Sequence, residues 1–448
     1  MAGEYASERL GSVAAVQGGF AFKSRDFTDT GVPVLKIKNI RVGIVDTEDV
    51  QHVSLEVAEA ASRFYCKHGD VLISMTGSGP QAPNSVVGRV ARFTGEDDAY
   101  LINQRVGRFS IKNPRVLDAR FLFYVLGQQH IQWGLVATAT GSANQANISS
   151  KQIEAVEVPL PPIQIQQAIA CILGALDDKI ELNMQRACTM NDVMQAMFHD
   201  WFVACNPVRH KAAGQLPPSM GPHLASLFPE SFTETPDGQV PTGWSIRSLG
   251  DGHMCRLVSP GVTHAASDRV QYIATGDVQM DSILGGTRDE YAALPSRANM
   301  SPGHDRIWFA KMKDSPKYLW TMREHASFWA SRILSTGFAG LEAVEKTYSP
   351  LLYCFIASPV FEDIKNRLAT GTTMQALNNH TVSKLPIVVP SRAVVEAFEK
   401  LVRPICLSRW QRAFENTTLA ELRDTLLPRL MSGELEVSDA ERIVGRAI

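Results

Sequence analysis

The sequence predicts an α+β protein in which two β-rich domains are separated by two long, antiparallel, coiled-coil-like helices, with the two halves forming an internal pseudo-repeat. Three observations predict this class. A short Gly-containing motif occurs twice, each copy precedes a proline-bounded strand, and each strand leads into a long segment of helical periodicity. The chain of 448 residues, 45% hydrophobic and 20% charged, can bury the cores of two or three domains.

The repeat is clearest in two octapeptides. The segment "ATGSANQA" at 139–146 matches "ATGTTMQA" at 369–376, an offset of 369 − 139 = 230 residues. Near the start of each half, "RLGSVAAV" at 9–16 matches "SLGDGHMC" at 248–255 more weakly. The order along the chain is therefore domain, helix, domain, helix.

The two domains are assigned to residues 1–158 and 239–389. Within both, β-branched residues alternate or cluster between Gly and Pro signals, which is typical of short strands. The candidate strand segments lie at 32–40, 69–79, 86–93, 270–279, 305–315 and 330–341.

The first helical region is assigned to 159–206. Prolines at 159, 161 and 162 end the first domain, because proline cannot donate to a sheet and disfavours helix in the preceding residue. Apolar residues then recur every three or four positions for about 55 Å, at about 1.5 Å per residue. A core helix of one large domain stays open as the alternative reading. The stripe contains Ile165, Ile169, Ile172, Leu176, Ile180, Ala187, Met190, Met194, Met197 and Trp201, with polar Asn183 in one slot.

Two further segments complete the organisation. Residues 207–238 are rich in Pro, Gly and Ala, which indicates a linker. Residues 390–448 form a second, weaker helical region, in which Pro404 is expected to kink the helix and Pro428 to end or bend it. Its apolar positions are Val395, Phe398, Val402, Ile405, Leu419, Leu422 and Leu426.

Several kinds of catalytic or metal site have no signature in the sequence. The dipeptide Gly-Lys is absent, which excludes a Walker A loop, and no Asn/Asp-Pro-Pro-aromatic loop of an amino-methyltransferase is present. The seven cysteines include no Cys-x-x-Cys pair, so neither a disulfide framework nor a zinc site is indicated. We expect no catalytic residue and no metal site, although a triad assembled only in space stays open.

Charge and targeting signals set two more expectations. The N-terminus has no basic start followed by an apolar run, and no stretch of eighteen apolar residues occurs, so a cytoplasmic location is expected. The net charge is −2, so any affinity for nucleic acid must come from local patches.

Such patches occur where lysine, arginine, asparagine and glutamine gather beside strand ends and Gly-rich loops. Lys and Arg suit phosphate contacts, whereas Asn, Gln and Arg can form paired hydrogen bonds with base edges. A solvated basic strand edge stays open as the structural alternative. The candidate DNA contacts are Lys36, Lys38, Asn39, Arg41, Thr76, Gln104, Arg105 and Gln145 in the first domain, and Thr275, Lys311, Lys313, Lys317 and Gln375 in the second.

Three runs carry a resemblance to a known family: "LGSVAAVQGGFAFKSRDFTDTGVPVLKIKNI" at 10–40, "PLPPIQIQQAIACILGALDDKIELNMQ" at 159–185 with "WFVACNPVR" at 201–209, and "ELRDTLLPRLMSGELEV" at 421–437. Together they resemble the specificity subunit of type I restriction-modification enzymes, the HsdS family. The resemblance covers essentially the whole chain, in the family's order of recognition domain, conserved helical region, recognition domain and conserved helical region.

The resemblance implies a non-catalytic subunit that reads a bipartite target on double-stranded DNA within a phage-defence system. It implies two methyltransferase (modification) subunits and restriction (translocase-nuclease) subunits as partners, with S-adenosylmethionine, ATP and Mg on those partners and no cofactor on this chain. If the helices pack together, two readers facing one side of DNA should lie about 34 to 36 Å apart. A standalone DNA methyltransferase or nuclease with a divergent site, and a purely structural scaffold, remain the alternatives. Residues expected at the helix–helix and subunit interface are Ile169, Leu176, Ile180, Met190, Leu419 and Leu426.

Overall fold

The structure, a computed structural model, describes residues 5–79, 86–142, 145–218, 220–236, 238–371 and 375–448. The chain divides into two compact units. The first unit is Met1–Asn183 with Ala413–Ile448, and the second unit is Met184–Arg412. Each of two long helices, Ile163–Phe198 and Arg392–Met431, contributes residues to both units.

The first unit is built on two main sheets. One sheet has five strands in the order Ala14–Gly18, Val106–Ile111, Val71–Ser74, Val90–Arg92 and Gly43–Ile44. The other has four, in the order Leu101–Ile102, Val32–Leu35, Gln51–Val53 and Phe27–Thr28. A two-stranded sheet pairs Ser7–Arg9 with Glu157–Pro159, and a three-stranded sheet has the order Thr140–Ser142, Gln145–Asn147 and Thr76–Gly77. The shorter helices are Leu10–Val13, Leu55–Ala60, Ala119–Leu126, Gln129–Thr138, Ser150–Glu154 and Val437–Val444.

The second unit repeats this plan. One four-stranded sheet has the order Cys255–Leu257, Phe338–Ala343, Arg306–Ala310 and Tyr318–Thr321, and the other has the order Thr287–Glu290, Arg269–Ile273, Arg332–Ser335 and Ala298–Met300. Two-stranded sheets pair Ser245–Ser248 with Pro386–Val389, Phe232–Thr235 with Gly238–Pro241, and Val278–Gln279 with Ser282–Ile283. The shorter helices are Asn206–Ala212, Pro222–Ala225, Ala326–Trp329, Ser349–Ile356, Pro359–Leu368 and Asn379–Ser383.

The α+β class and the internal repeat are confirmed. Helices Ala119–Leu126 and Ser349–Ile356 have 8 residues each, at the offset of 349 − 119 = 230. Beyond the octapeptides the offset becomes 379 − 150 = 229, because helix Ser150–Glu154 corresponds to Asn379–Ser383. The segment between paired residues is thus one residue shorter in the second unit, where Thr370 pairs with Ala376, than in the first, where Thr140 pairs with Asn147. Residues 143–144 and 372–374 of the octapeptides lie outside the described residues.

The long helices supply apolar faces to both cores. In the first unit, Ile169 and Leu176 are fully buried in one cluster with Leu419 and Leu426. In the second unit, Met194 lies in a buried cluster with aromatic side chains of both long helices, of the π-helical turn His199–Val203 and of helix Ser349–Ile356. These side chains include Phe198, Phe398, Trp201 and Phe355. Helical stability of this kind comes mainly from burial of the apolar face.

Within each unit the two helices are antiparallel. In the first unit, Asp177 contacts Arg423 at 2.8 Å, and Asn183, six residues further along, contacts Asn416 at 2.9 Å. In the second unit, the Arg409 guanidinium donates to the carbonyl of Ala187 at 3.1 Å. The polar slot at Asn183 is completely buried, and its amide also donates to Glu415 at 2.9 Å.

Three local features differ from the sequence-based expectation. The second long helix does not end at Pro428 but continues to Met431, because Leu426 and Leu430 are buried and their packing offsets the lost backbone hydrogen bond. The first long helix ends in a π-helical turn, His199–Val203. The segment 207–238, expected to be a linker, holds two short helices and half of a hairpin, and Phe228 packs edge-on against Trp201 at 5.0 Å. That segment belongs to the second unit's core.

Candidate nucleic-acid interface

The loop after strand Val32–Leu35 is shaped by a buried amide. The Asn39 side chain accepts the backbone N–H of Lys36 at 2.9 Å and donates to the carbonyls of Asp46 and Asp49 at 2.9 and 3.0 Å. Its hydrogen-bonding capacity is used inside the loop and its side chain is 2% exposed. Asn39 therefore fixes the loop, and it is not placed to reach a base edge.

The basic residues of this loop are largely balanced by aspartates. Lys38 pairs with Asp49 at 2.6 Å, and Arg41 pairs with Asp46. The Lys36 ammonium lies 3.7 Å from the centre of the Phe27 ring, and burial, with the charge of Lys38, lowers the pKa of Lys36. These pairs are exposed, so solvent and salt weaken them. The loop's net positive potential is nevertheless reduced.

A second polar cluster lies where three segments of the first unit meet. Thr76 donates its hydroxyl hydrogen to the Asn147 side-chain oxygen at 2.7 Å. The Nη1 group of Arg105 donates to the Thr76 hydroxyl oxygen at 3.0 Å and to the Asn147 side-chain oxygen at 2.8 Å. Both acceptors are neutral, and among the described residues no carboxylate lies within 4.0 Å of Arg105. Arg105 is thus an oriented, exposed cation whose charge is not cancelled by an ion pair.

The structure places two predicted glutamines beside this cluster. Gln104 precedes Arg105 and is exposed, and Gln145 begins the strand Gln145–Asn147 and is also exposed. Asn147, which completes the cluster, was not identified from sequence, although it follows the repeated octapeptide by one residue. Three of the predicted contacts, Gln104, Arg105 and Gln145, are therefore exposed around the buried Thr76.

In the second unit the predicted lysines lie on one turn between strands Arg306–Ala310 and Tyr318–Thr321. The backbone N–H of Lys313 donates to the carbonyl of Gln375 at 2.9 Å. The backbone N–H of Leu377 donates to the carbonyl of Lys311, also at 2.9 Å. Lys317 donates its ammonium to the carbonyl of Thr275 at 2.7 Å. All five predicted residues therefore gather around this turn, and burial lowers the pKa of Lys311.

A buried lysine holds this turn in place. Lys365, 1% exposed on helix Pro359–Leu368, donates to the carbonyl of Ser315 at 2.7 Å and pairs with Glu362 at 2.7 Å. Next to it, the Asn366 side chain exchanges hydrogen bonds with the backbone and carboxylate of Asp314 at 2.9 and 3.0 Å. Neither Lys365 nor Asn366 was identified from sequence. A surface pocket of about 450 Å³ lies here, lined by Lys313, Asp363, Asn366 and Arg367.

The two units use equivalent positions with different chemistry. Strand pairing sets Thr76 opposite Asn147 in the first unit and Met312 opposite Ala376 in the second. The same backbone frame therefore presents a hydroxyl and an amide in one unit and two apolar side chains in the other. Such a difference would suit two units that recognise different nucleic-acid sequences.

The predicted helix residues divide between the units. Ile169, Leu176, Leu419 and Leu426 are buried in the first unit's core, and Ile180 packs half-buried against it. Met190 belongs to the second unit and is half-buried. The stripe is therefore not one continuous seam, because its two ends contribute to different cores.

No group of three or more His, Cys, Asp or Glu side chains in the described ranges could hold a metal ion. Among the helices of the same ranges, none has the length and apolar character needed to cross a bilayer.

Comparison with known proteins shows that the chain is similar to specificity subunits of type I restriction enzymes. Residues 3–188 match the family model of the type I restriction modification DNA specificity domain. The HindI specificity subunit of Haemophilus influenzae is 24% identical over 425 residues, which cover 82% of this chain and 87% of that protein. The MjaIX specificity subunit of Methanocaldococcus jannaschii is 21% identical over 67% of this chain and 65% of that protein.

A solved structure has the same fold. The S subunit of a type I restriction-modification system from M. genitalium superposes with a TM-score of 0.56 at 17% identity, covering 96% of both chains. The matched family domain, the similarity to named specificity subunits over most of the chain and the duplicated α+β fold agree with one another. Over most of its length the chain is similar to the specificity subunits of type I restriction-modification systems.

Proposed function

We propose that this chain is the DNA sequence-specificity subunit of a type I restriction-modification system, with each unit reading one half of a bipartite target. The observation that carries the proposal is the duplicated frame with unlike side chains: Thr76 opposite Asn147 in one unit, and Met312 opposite Ala376 in the other. Two similar frames with different chemistry are what an asymmetric two-part target requires.

Backbone contacts and base contacts are assigned to different residues. Arg105, Lys313 and Lys317 supply positive charge for phosphates, which positions the protein on the duplex. Gln104, Gln145 and Gln375 are exposed next to those charges and can form paired hydrogen bonds with base edges. Lys36, Lys38, Arg41, Thr275 and Lys311 complete the proposed surfaces, and Thr76 acts by orienting Arg105.

The chemistry is assigned to other subunits. We propose that the chain is non-catalytic, that it docks two methyltransferase subunits through its long helices, and that restriction subunits join for cleavage. S-adenosylmethionine, ATP and Mg would then be bound by those partners. The absence of a Walker A loop and of a methyltransferase catalytic loop from the sequence supports this division.

A domain exchange tests the proposal. Residues 239–389 are replaced by the equivalent domain of a relative, and methylation is mapped across the host genome. One half of the methylated sequence should change while the other half and the ability to methylate persist. A change in both halves, or in neither, would contradict the assignment of one half-site to each unit.

The second candidate is a standalone DNA methyltransferase or nuclease. Purified chain is incubated with DNA and labelled S-adenosylmethionine, or with DNA and Mg²⁺, in the presence and absence of its modification subunits. Methyl transfer only when the subunits are present supports the proposed role. Transfer or cutting by the chain alone, at a rate comparable with the complex, would establish the alternative.

A further inference from the structure

Two arginines flank a glutamine across three neighbouring strands of the second unit. Strand pairing sets Gln271 opposite Arg288 on one side and opposite Arg332 on the other. Residues directly opposite one another point to the same face of a sheet, so the three side chains form a row. None of the three is among the basic clusters found from sequence.

The row carries charge that nothing in the described part of the chain balances. No carboxylate there lies within 4.0 Å of Arg288 or Arg332. The neighbouring row on the same face is different, because Arg269 is placed opposite Glu290. One row therefore places a carboxylate opposite its cation, whereas the adjacent one holds two cations and no anion.

Local contacts hold the row in place. The Arg332 guanidinium lies 3.5 Å from the centre of the Phe328 ring and donates to the Phe328 carbonyl. A Cβ on Gly286 would lie 3.1 Å from the Gln271 side-chain nitrogen, so the glutamine rests against bare backbone. Burial lowers the pKa of Arg332, and the nearby charge of Arg288 lowers it further.

We propose that this row binds phosphates of the DNA backbone beside the half-site that the second unit reads. The inference rests on the proposed function. Two unbalanced cations on one face favour an anion, and arginine forms paired hydrogen bonds with phosphate. Gln271 between them can donate to a phosphate oxygen as well. Protection of an edge strand explains Arg288, since Thr287–Glu290 is an edge, but it does not explain Arg332 on an inner strand.

The salt dependence of DNA binding tests this site. The affinity of the full-length chain for a duplex carrying the mapped target and for a scrambled duplex is measured over a range of NaCl concentrations. The variants are Arg288→Gln, Arg332→Gln and their double, with Arg269→Gln as the matched control. Each phosphate contact contributes roughly 0.9 to the slope of log affinity against log salt. Each single variant should lower that slope by about one, and the double by about two, on both duplexes.

A conservative variant separates charge from packing. Arg332→Lys keeps the charge but loses the planar stack on Phe328, so it should retain most of the slope if phosphate binding is the role. If Arg332→Lys behaves like Arg332→Gln, or if Arg288→Gln leaves the slope of wild type, the site is not a phosphate contact. Failure of wild-type chain to bind either duplex would instead contradict the proposed function.

Discussion

Arg423 donates a hydrogen bond to Asp177 at 2.8 Å, joining the two long helices within the first unit. The repeat offset of 229 carries Asp177 to position 406 and Arg423 to position 194. There, in the second unit, Cys406 contacts Met194 through their sulfur atoms at 3.2 Å. Equivalent helix contacts are therefore ionic in one unit and apolar in the other, so each unit has its own pairing chemistry.

The Asp177–Arg423 pair should contribute measurably to stability. Both side chains are less than one-third exposed, and Tyr124 also donates its hydroxyl to Asp177 at 2.5 Å. A double-mutant cycle with Asp177→Ala and Arg423→Ala should give a coupling energy of about 1 to 2 kcal/mol in chemical unfolding. The same cycle on the more exposed Arg429–Glu434 pair should give under about 1 kcal/mol. Equal couplings would contradict a special role for Asp177.

Two leucines six residues apart on the first long helix should differ sharply in how much they contribute to the unfolding free energy. Leu176 is fully buried, whereas Leu182 is 41% exposed. Leu176→Ala should lower the unfolding free energy by about 3 kcal/mol, because it removes apolar contacts and leaves a cavity. Leu182→Ala, the matched control, should change it by less than about 1 kcal/mol. Similar losses for both variants would mean that the helix faces are assigned incorrectly.

Arg105 should matter more for DNA binding than Lys38. Arg105 is oriented by Thr76 and Asn147 without an ion pair, whereas Lys38 is paired with Asp49. Arg105→Ala should weaken binding to all sequences and reduce the salt slope by roughly one. Lys38→Ala should reduce it less, because the ion pair with Asp49 keeps the Lys38 ammonium from neutralising a phosphate. Binding isotherms at several salt concentrations measure both slopes. A larger loss of slope for Lys38→Ala than for Arg105→Ala would contradict the assignment of Arg105 to the proposed surface.

The buried Lys365 should control the order of the basic turn. Lys365→Met keeps much of the volume but removes the hydrogen bond to Ser315 and leaves Glu362 unpaired. We expect a loss of about 1 to 3 kcal/mol of stability and faster amide exchange at 311–317. Lys384→Met, at an exposed position, is the control and should change neither. Unchanged exchange in Lys365→Met would show that the turn is held by other contacts.

The cysteines should separate into two reactive and five protected thiols. Cys171 and Cys188 are exposed, and the other five are buried. Burial raises the pKa of Cys66 to about 12, which disfavours the reactive thiolate. Native alkylation followed by intact mass should therefore add two groups, and alkylation after unfolding should add seven. A third rapid group on the native chain would contradict the burial of these thiols.

The raised pKa of Cys66 makes the unfolding free energy depend on pH. The folded-state pKa of Cys66 is raised from 9.0, so the native chain holds a proton that the unfolded chain releases between pH 9 and about 12. Its contribution to stability is complete below pH 9 and is lost as the pH rises through that window. Unfolding free energies measured from pH 9 upward should fall less steeply for Cys66→Ala than for wild type. Parallel curves would contradict the assignment.

Sequence alone determined the architecture. Motif recurrence revealed the repeat, because a duplicated fold keeps its turns and strand boundaries at a nearly constant offset. Apolar spacing of three and four residues located the first long helix, since burial of one helical face demands that period. The runs shared with specificity subunits indicated the similarity to that family. All of these signals are local in the chain or repeat along it.

Tertiary structure decided which polar residues are available. Asn39 and Lys38 adjoin in sequence, yet Asn39 is inside the loop and Lys38 is paired with Asp49, eleven positions away. Asn147 and the Arg288–Gln271–Arg332 row are assembled by strand pairing between segments that are distant in the chain. The exposure and charge balance of a side chain depend on such neighbours, which a pattern along one sequence does not specify.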